Sequence, residues 1–328
     1  MRDSNQVWQK ILAQGFSCAR DLLTYLQLPV EMASSAADRQ FKTRVPIGFA
    51  ARMEPKNPRD PLLLQVLATD DELVRLPEYN EDPLAELAAN PRRGLIHKYY
   101  GRVLLTVTGA CAINCRYCFR RHFPYKNNNP GRLGWQSTIN YIAADPTIRE
   151  VILSGGDPLL ATDEVISSLL SQLTAINHLT TVRIHTRIPV VLPERITTNL
   201  LELFAELPLK KVMVVHSNHS HELDDQFARI ATDLKKAGFY LLNQSVLLRN
   251  VNDNPRTLAA LSERLFSCGV LPYYLHVLDK VHGAGHFDIP TEQAKSIYTE
   301  LQTYLPGYLV PRLVREEPGK KNKTLIST

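Results

Sequence analysis

Six short apolar runs, each followed by a helical pattern, occupy most of the chain from residue 102 onward. The runs are 103–108 (VLLTVT), 150–154 (EVILS), 181–186 (TVRIHT), 211–216 (KVMVVH), 240–245 (YLLNQS) and 271–277 (LPYYLHV). Helical spacing of apolar residues marks 133–144, 163–176, 195–206, 222–237, 255–267 and 291–304. Regular strand–helix alternation calls for parallel strands joined by right-handed crossovers. The runs are close to continuously apolar, as strands covered on both faces are. The pattern fits an open, incomplete α/β barrel or a doubly wound sheet. In both, ligands gather at the C-terminal ends of the strands. Residues 1–98 differ: apolar residues recur at helical spacing from Trp8 to Leu26, and prolines at 46, 55, 58, 61, 77, 83 and 91 break the rest into short pieces. This stretch reads as a helical N-terminal region.

The first run ends in Thr-Gly-Ala and continues Cys111-Ala-Ile-Asn-Cys115-Arg-Tyr-Cys118. The chain has five cysteines, and no export signal precedes them: the N-terminus MRDSNQVWQKILAQGF is polar where an apolar signal core belongs. No apolar run approaches the ~20 residues of a membrane span. The expected setting is therefore the cytoplasm, without membrane attachment, where clustered cysteines signal metal or redox chemistry rather than disulfides. Three thiolates on one loop can cap a face of a [4Fe-4S] cluster, which takes four ligands in full. An iron left open can hold a small molecule. A zinc site completed by His122 is the alternative, although zinc loops usually pair with a second ligand pair elsewhere. Cys18 and Cys268 stand far away and read as ordinary residues. The second run ends Ser154-Gly155-Gly156-Asp157. Glycines there let the backbone approach a ligand closely. The net charge of +5 suits anionic ligands and is too small to argue for nucleic acid.

The C-x3-C-x2-C loop, with aromatic Tyr117 before its last cysteine, resembles the signature of radical S-adenosylmethionine (SAM) enzymes. The resemblance implies a partial (βα)6 barrel and a [4Fe-4S] cluster on Cys111, Cys115 and Cys118. Its open iron chelates SAM, and reduction of the cluster yields a 5′-deoxyadenosyl radical. Ser154, Gly155, Gly156 and Asp157 then correspond to the element that binds the SAM amino group.

Further stretches resemble lysine 2,3-aminomutases in the same order: Cys118-Phe-Arg120-Arg121, Arg187-Ile-Pro-Val-Val-Leu-Pro193, Asn243-Gln-Ser-Val-Leu-Leu-Arg249, Pro272-Tyr-Tyr274 with Asp279, and Gly307-Tyr-Leu-Val-Pro311. The resemblance covers roughly residues 45–328 and implies pyridoxal 5′-phosphate (PLP) as a third cofactor, L-lysine as substrate and (R)-β-lysine as product. Val310-Pro311, Pro318-Gly319 and Lys323-Thr324 keep the family register, which makes Lys323 the PLP lysine; Lys320 and Lys321 are the fallback candidates. Arg102 corresponds to a PLP phosphate contact, and Arg120 to the arginine that binds the substrate carboxylate. Asp279 and Glu316 correspond to the carboxylates that hold the distal ammonium. The family has aspartate where Glu316 stands, and Glu317 is a rival. His216 corresponds to a histidine near the adenosyl group, and Gln244 is a candidate SAM or PLP contact. The rest of His216-Ser-Asn-His-Ser-His-Glu222 reads as helix-start and packing residues rather than as a metal site.

The chain stops five residues after Lys323, where typical members continue. It is therefore similar to the short branch that makes (R)-β-lysine for attachment to elongation factor P by a separate ligase. An external electron donor is implied. The expected organisation is a helical region over 1–98, the barrel over 99–305, and a C-terminal strand with the lysine tail over 306–328. Two other classes stay open: a radical SAM enzyme acting on RNA or protein without PLP, and a non-catalytic zinc-stabilised binding module.

Overall fold

The computed structural model describes residues 4–128 and 131–327. One nine-stranded sheet runs in strict chain order: β1 (Leu95–Tyr99), β2 (Arg102–Thr108), β3 (Glu150–Gly155), β4 (Thr181–Thr186), β5 (Lys210–His216), β6 (Phe239–Val246), β7 (Leu271–His276), β8 (Arg312–Arg315) and β9 (Thr324–Leu325). β2 through β8 are parallel, and the two edge pairs β1–β2 and β8–β9 are antiparallel. A doubly wound sheet reverses its strand order part-way. This sheet never does, so the right-handed crossovers all fall on one side and the sheet curls. β1 and β9 are its two ends, so it stays open as a partial barrel. No helix among the described residues is long and apolar enough to cross a membrane.

The six expected runs become β2 to β7, and their crossover helices shift only at the caps. The run expected to be helical from 195 begins at Thr198, because the Thr197 side chain accepts from Leu200 N (3.3 Å). The one expected from 222 begins at Asp225, because Asp224 caps Phe227 N (2.8 Å) and Glu222 is spent on other contacts. The helix at Pro255–Ser267 starts on schedule, with Asn254 as cap and proline in its first turn. Each helix turns one apolar stripe to the sheet: Phe227, Ala231 and Leu234 from one, Leu258, Leu261 and Leu265 from another.

Along β4 the burial alternates, with Val182, Ile184 and Thr186 packed under the helices and Arg183 and His185 facing the barrel interior. The register carries this face across the sheet to His216, Gln244, Tyr274 and His276. The interior face thus carries these polar side chains among aliphatic ones such as Val214 and Val246.

The expected boundary at residue 98 falls inside β1. The stretch before it is not a separate body. Its Phe49, Leu62, Leu63 and Val66 lie in the same core cluster as Val103, Val151 and Ile184. A strand was missed here because LIHKY has the length and composition of a loop piece, and only the exposed edge of β2 makes it a strand.

Candidate active site

The cysteine loop leaves β2 at the mouth of the barrel. All three of its thiols are free and partly buried. Burial raises the Cys111 thiol well above its ordinary range, and the neighbouring Cys118 adds to this. Burial, with Cys115 beside it, pushes Cys118 up to about 11. Three mutually repelling sulfurs in a half-dry loop form a donor set that a cationic iron–sulfur group would relieve. Among the described residues no three His, Cys, Asp or Glu side chains are placed to hold a metal ion. His122, the zinc alternative's fourth ligand, has its Nε2 at the His282 carbonyl (3.1 Å). Cys18 and Cys268 sit at helix ends, Cys268 within the core.

Charged side chains from outside the loop fix its shape. Arg116 donates twice to Glu72 (2.7 and 2.6 Å), and Arg121 donates once (2.6 Å). None of these three side chains is more than 2% exposed. Arg187, at the end of β4, donates to Cys115 Sγ (2.7 Å), to Gln65 (2.7 Å) and to Glu222 (2.9 Å). Glu222 also accepts from the backbone of Asn218 and His219, so the histidine-rich stretch is folded around this carboxylate. His219 and Glu222 form a capping box there. Glu72→Ala leaves two buried guanidiniums without a counter-charge. We expect a loss of roughly 3–5 kcal/mol, read from the urea midpoint, because an uncompensated buried charge costs that much.

The two glycines after β3 are held by backbone packing. A Cβ on Gly155 would lie 2.4 Å from Thr108 O, and one on Gly156 would lie 2.3 Å from Ala110 O. Gly156 N and Asp157 N donate to those same carbonyls (both 2.7 Å), which ties the second strand end to the cysteine loop. Asp157 accepts from Thr186 Oγ1 (2.7 Å), Arg187 N (2.8 Å) and Leu159 N (3.1 Å). Burial still lifts its carboxyl to about 6. Its side chain is thus committed to joining the ends of β3 and β4.

A continuous chain of charges runs from the cysteine loop to the C-terminal tail. Arg120 grips Glu86 with Nε (2.7 Å) and Nη2 (2.8 Å), and its Nη1 reaches Ser154 Oγ (3.1 Å). Lys98 stands 3.7 Å from Glu86 and 3.0 Å from Glu316. Lys323 Nζ donates to the other oxygen of Glu316 (2.6 Å) and lies 5.8 Å over the Tyr274 ring. Burial works to raise the Glu316 carboxyl, but Lys323 and Lys98 outweigh it and hold it at about 2. Burial, reinforced by Glu316, lifts Asp279 to about 7. Lys320 and Lys321 are exposed, which singles out Lys323 among the three tail lysines. Glu317 accepts from Thr324 Oγ1. Asp279, Glu316 and Glu317 line a cavity of about 440 Å³ that also takes in Glu78, Pro83, Leu84 and Asp288.

Arg102 stacks 4.6 Å over Tyr99, whose phenol burial and the Glu316 charge push upward. Arg102 therefore lies on the Lys323 side of the barrel. Gln244 donates through Nε2 to Nε2 of His216 (2.9 Å), and burial drives that imidazole down to about 3, so it is neutral. Among the described residues, Nε2 of both His185 and His276 is buried without a hydrogen-bond partner. Buried polar atoms are seldom left so. An interior with unpaired ring nitrogens, a half-buried lysine and an arginine nearby suits an anionic, polar cofactor, and in this it fits PLP.

Glu86, Lys98, Arg187 and Glu222 carry much of this arrangement, and their spacing in the sequence gives no sign of it. Only long-range pairing shows them, with Glu86 34 residues from Arg120 and Lys98 218 residues from Glu316.

The open parallel barrel with a three-cysteine loop at its mouth defines the radical SAM class of protein. A family profile described as a 4Fe-4S single cluster domain matches residues 100–187. The L-lysine 2,3-aminomutase of Escherichia coli (strain K12) is 49% identical over 98% of this chain and 94% of its own length. The enzyme of that name from Haemophilus influenzae is 49% identical over 98% of this chain and 96% of its own. The one from Clostridium subterminale is 35% identical over 97% of this chain and 77% of its own. The chain belongs to the L-lysine 2,3-aminomutase family.

Proposed function

We propose that this protein is a radical SAM, PLP-dependent aminomutase that converts L-α-lysine to (R)-β-lysine. The observation that carries the reading is the ion-pair chain from Arg120, two residues from Cys118, to Lys323. It places the cluster loop and the tail lysine in one interior, with anionic and cationic anchor points between them. Such an interior suits a substrate with a carboxylate at one end and an ammonium at the other.

When bound, the cluster and SAM supply a carbon-centred radical, and PLP supplies a carbonyl that holds the migrating nitrogen. The protein's own residues do the rest. Cys111, Cys115 and Cys118 would hold the cluster, and the backbone at Ser154 to Asp157 would flank SAM with His216 and Gln244. Lys323 would hold PLP, and Arg102 its phosphate through paired hydrogen bonds. Arg120 would offer the outer end of its guanidinium, beside Ser154 and Gly155, to the substrate carboxylate. Asp279 and Glu316 would hold the distal ammonium. Glu316 accepts the ammonium of Lys323 in the structure, which supports this role. The barrel wall keeps water and stray hydrogen donors from the radical.

The same reading places the protein in the cytoplasm, supplied by an external electron donor. Its product would pass to a separate ligase acting on elongation factor P. The 49% identity to the E. coli and H. influenzae relatives, against 35% to the C. subterminale one, supports that branch of the family. The test is anaerobic reconstitution with iron, sulfide and PLP, followed by SAM, a reductant and L-lysine. β-Lysine is the expected product. SAM cleavage without it, in protein carrying both cofactors, would refute the reading.

A further inference from the structure

We infer that Glu86 and Lys98 are positioning residues that set the pose of the substrate between its two charged anchors, an inference that rests on the aminomutase reading. Glu86 occupies Nε and one N–H of Nη2 of Arg120, and Nη1 faces Ser154 Oγ (3.1 Å) and Gly155 O (3.4 Å), so the guanidinium has only its outer end left, where the second N–H of Nη2 points. A substrate carboxylate therefore meets Arg120 from one direction only. At the other anchor, Lys98 fixes Oε1 of Glu316 and Oε2 accepts the Lys323 ammonium, so with Lys323 committed to PLP it is Oε2 that would take the substrate ammonium. Glu86 and Lys98 are themselves 3.7 Å apart. The carboxylate anchor and the ammonium anchor are thus ends of one rigid ion-pair chain, and the span between them is set by its two middle members.

Local structure makes that span stiff. Glu86 N donates to Asp82 Oδ1 (2.9 Å), which closes the turn that carries it, and Pro83 and Leu84 of this turn wall the cavity beside Asp279. Lys98 stands on β1, and its neighbour His97 N donates to Ala89 O (2.9 Å), so the two segments are bound together. Both charges are well sheltered: the Glu86 side chain is 5% exposed and that of Lys98 16%. Burial opposes the Glu86 charge, but Arg120 outweighs it and keeps the carboxyl below its ordinary range. Neither residue need touch the substrate; they act through Arg120 and Glu316.

Two variants test this in holoenzyme: Glu86→Gln, which keeps the shape and removes the charge, and Lys98→Met, which keeps the stem and removes the ammonium. For each, KM and kcat are measured for L-lysine and for L-ornithine, which is one methylene shorter. Iron content, PLP absorbance and lysine-independent SAM cleavage are measured alongside. We expect KM for L-lysine to rise about tenfold or more with kcat within about threefold, and the preference for L-lysine over L-ornithine to fall about tenfold. Glu86→Asp should recover part of both effects. Unchanged KM and preference in both variants would overturn the inference. So would a loss of activity that merely follows iron and PLP content, because a structural role alone predicts that. Wild-type protein that makes no β-lysine would instead overturn the reading beneath it.

Discussion

Lys323→Ala abolishes the fixation of PLP to the chain. Borohydride treatment of the wild type should leave a pyridoxyl adduct on the peptide carrying Lys323, and the variant should show none there or on Lys320 or Lys321. The reason is position rather than amine chemistry, since all three are lysines within four residues. Lys320 and Lys321 are exposed, whereas Lys323 reaches Glu316 and the face of Tyr274 inside the barrel. Aminomutase turnover should fall at least about a thousandfold, as when a covalent anchor is removed. Iron content should stay at the wild-type level, because the cysteine loop is braced by Glu72, Arg187 and Glu222, none of which touches the tail. The variant also leaves Glu316 with Lys98 as its ion-pair partner, so its carboxyl should titrate higher than the value near 2 that two ammonium groups impose. A fixed adduct on Lys320 in otherwise active wild type would show that the tail adopts another register.

Six of the seven parallel strands are legible from the residues because each is a nearly continuous apolar run, and the helices because their apolar residues recur at helical spacing; the caps Thr197 and Asp224 set starts that this spacing misses. Strand order was not legible, and with it the choice between a barrel and a doubly wound sheet; that depends on which runs pair. The edge strands β1 and β9 were illegible for the same reason, since five and two residues carry no period of their own. In the site, the cysteines declare themselves by spacing alone. The glycines at 155 and 156 suggest close approach to a ligand, and the close approach in the structure is to the carbonyls of Thr108 and Ala110. Asp157 was expected to face a ligand, yet its side chain holds strand ends together. Such a residue can look functional in sequence while acting one step removed. Glu86 is the reverse case: it lies in a proline-broken stretch that resembles a connection, and it turns out to grip Arg120.

Cys115→Ala should strip the protein of its cluster while leaving the barrel folded. Cys115 is the central sulfur of the loop and has Arg187 against it at 2.7 Å. Two remaining thiols cannot cap a cubane, so iron after anaerobic reconstitution should fall at least about tenfold, and SAM cleavage with it. The fold should survive, because Arg187 keeps Glu222 and Gln65 as partners and is not left as an unpaired buried cation. PLP fixation on Lys323 should persist in this variant, the mirror image of Lys323→Ala. The pair of variants therefore separates the two halves of the site: one loses iron and keeps PLP, the other loses PLP and keeps iron. Cys268→Ala, which alters a helix end in the core, should keep both cofactors. If Cys115→Ala retained full iron, the cluster would have to use sulfur from Cys18 or Cys268. Cys115 would then not be a required ligand, and the three-cysteine assignment would be wrong.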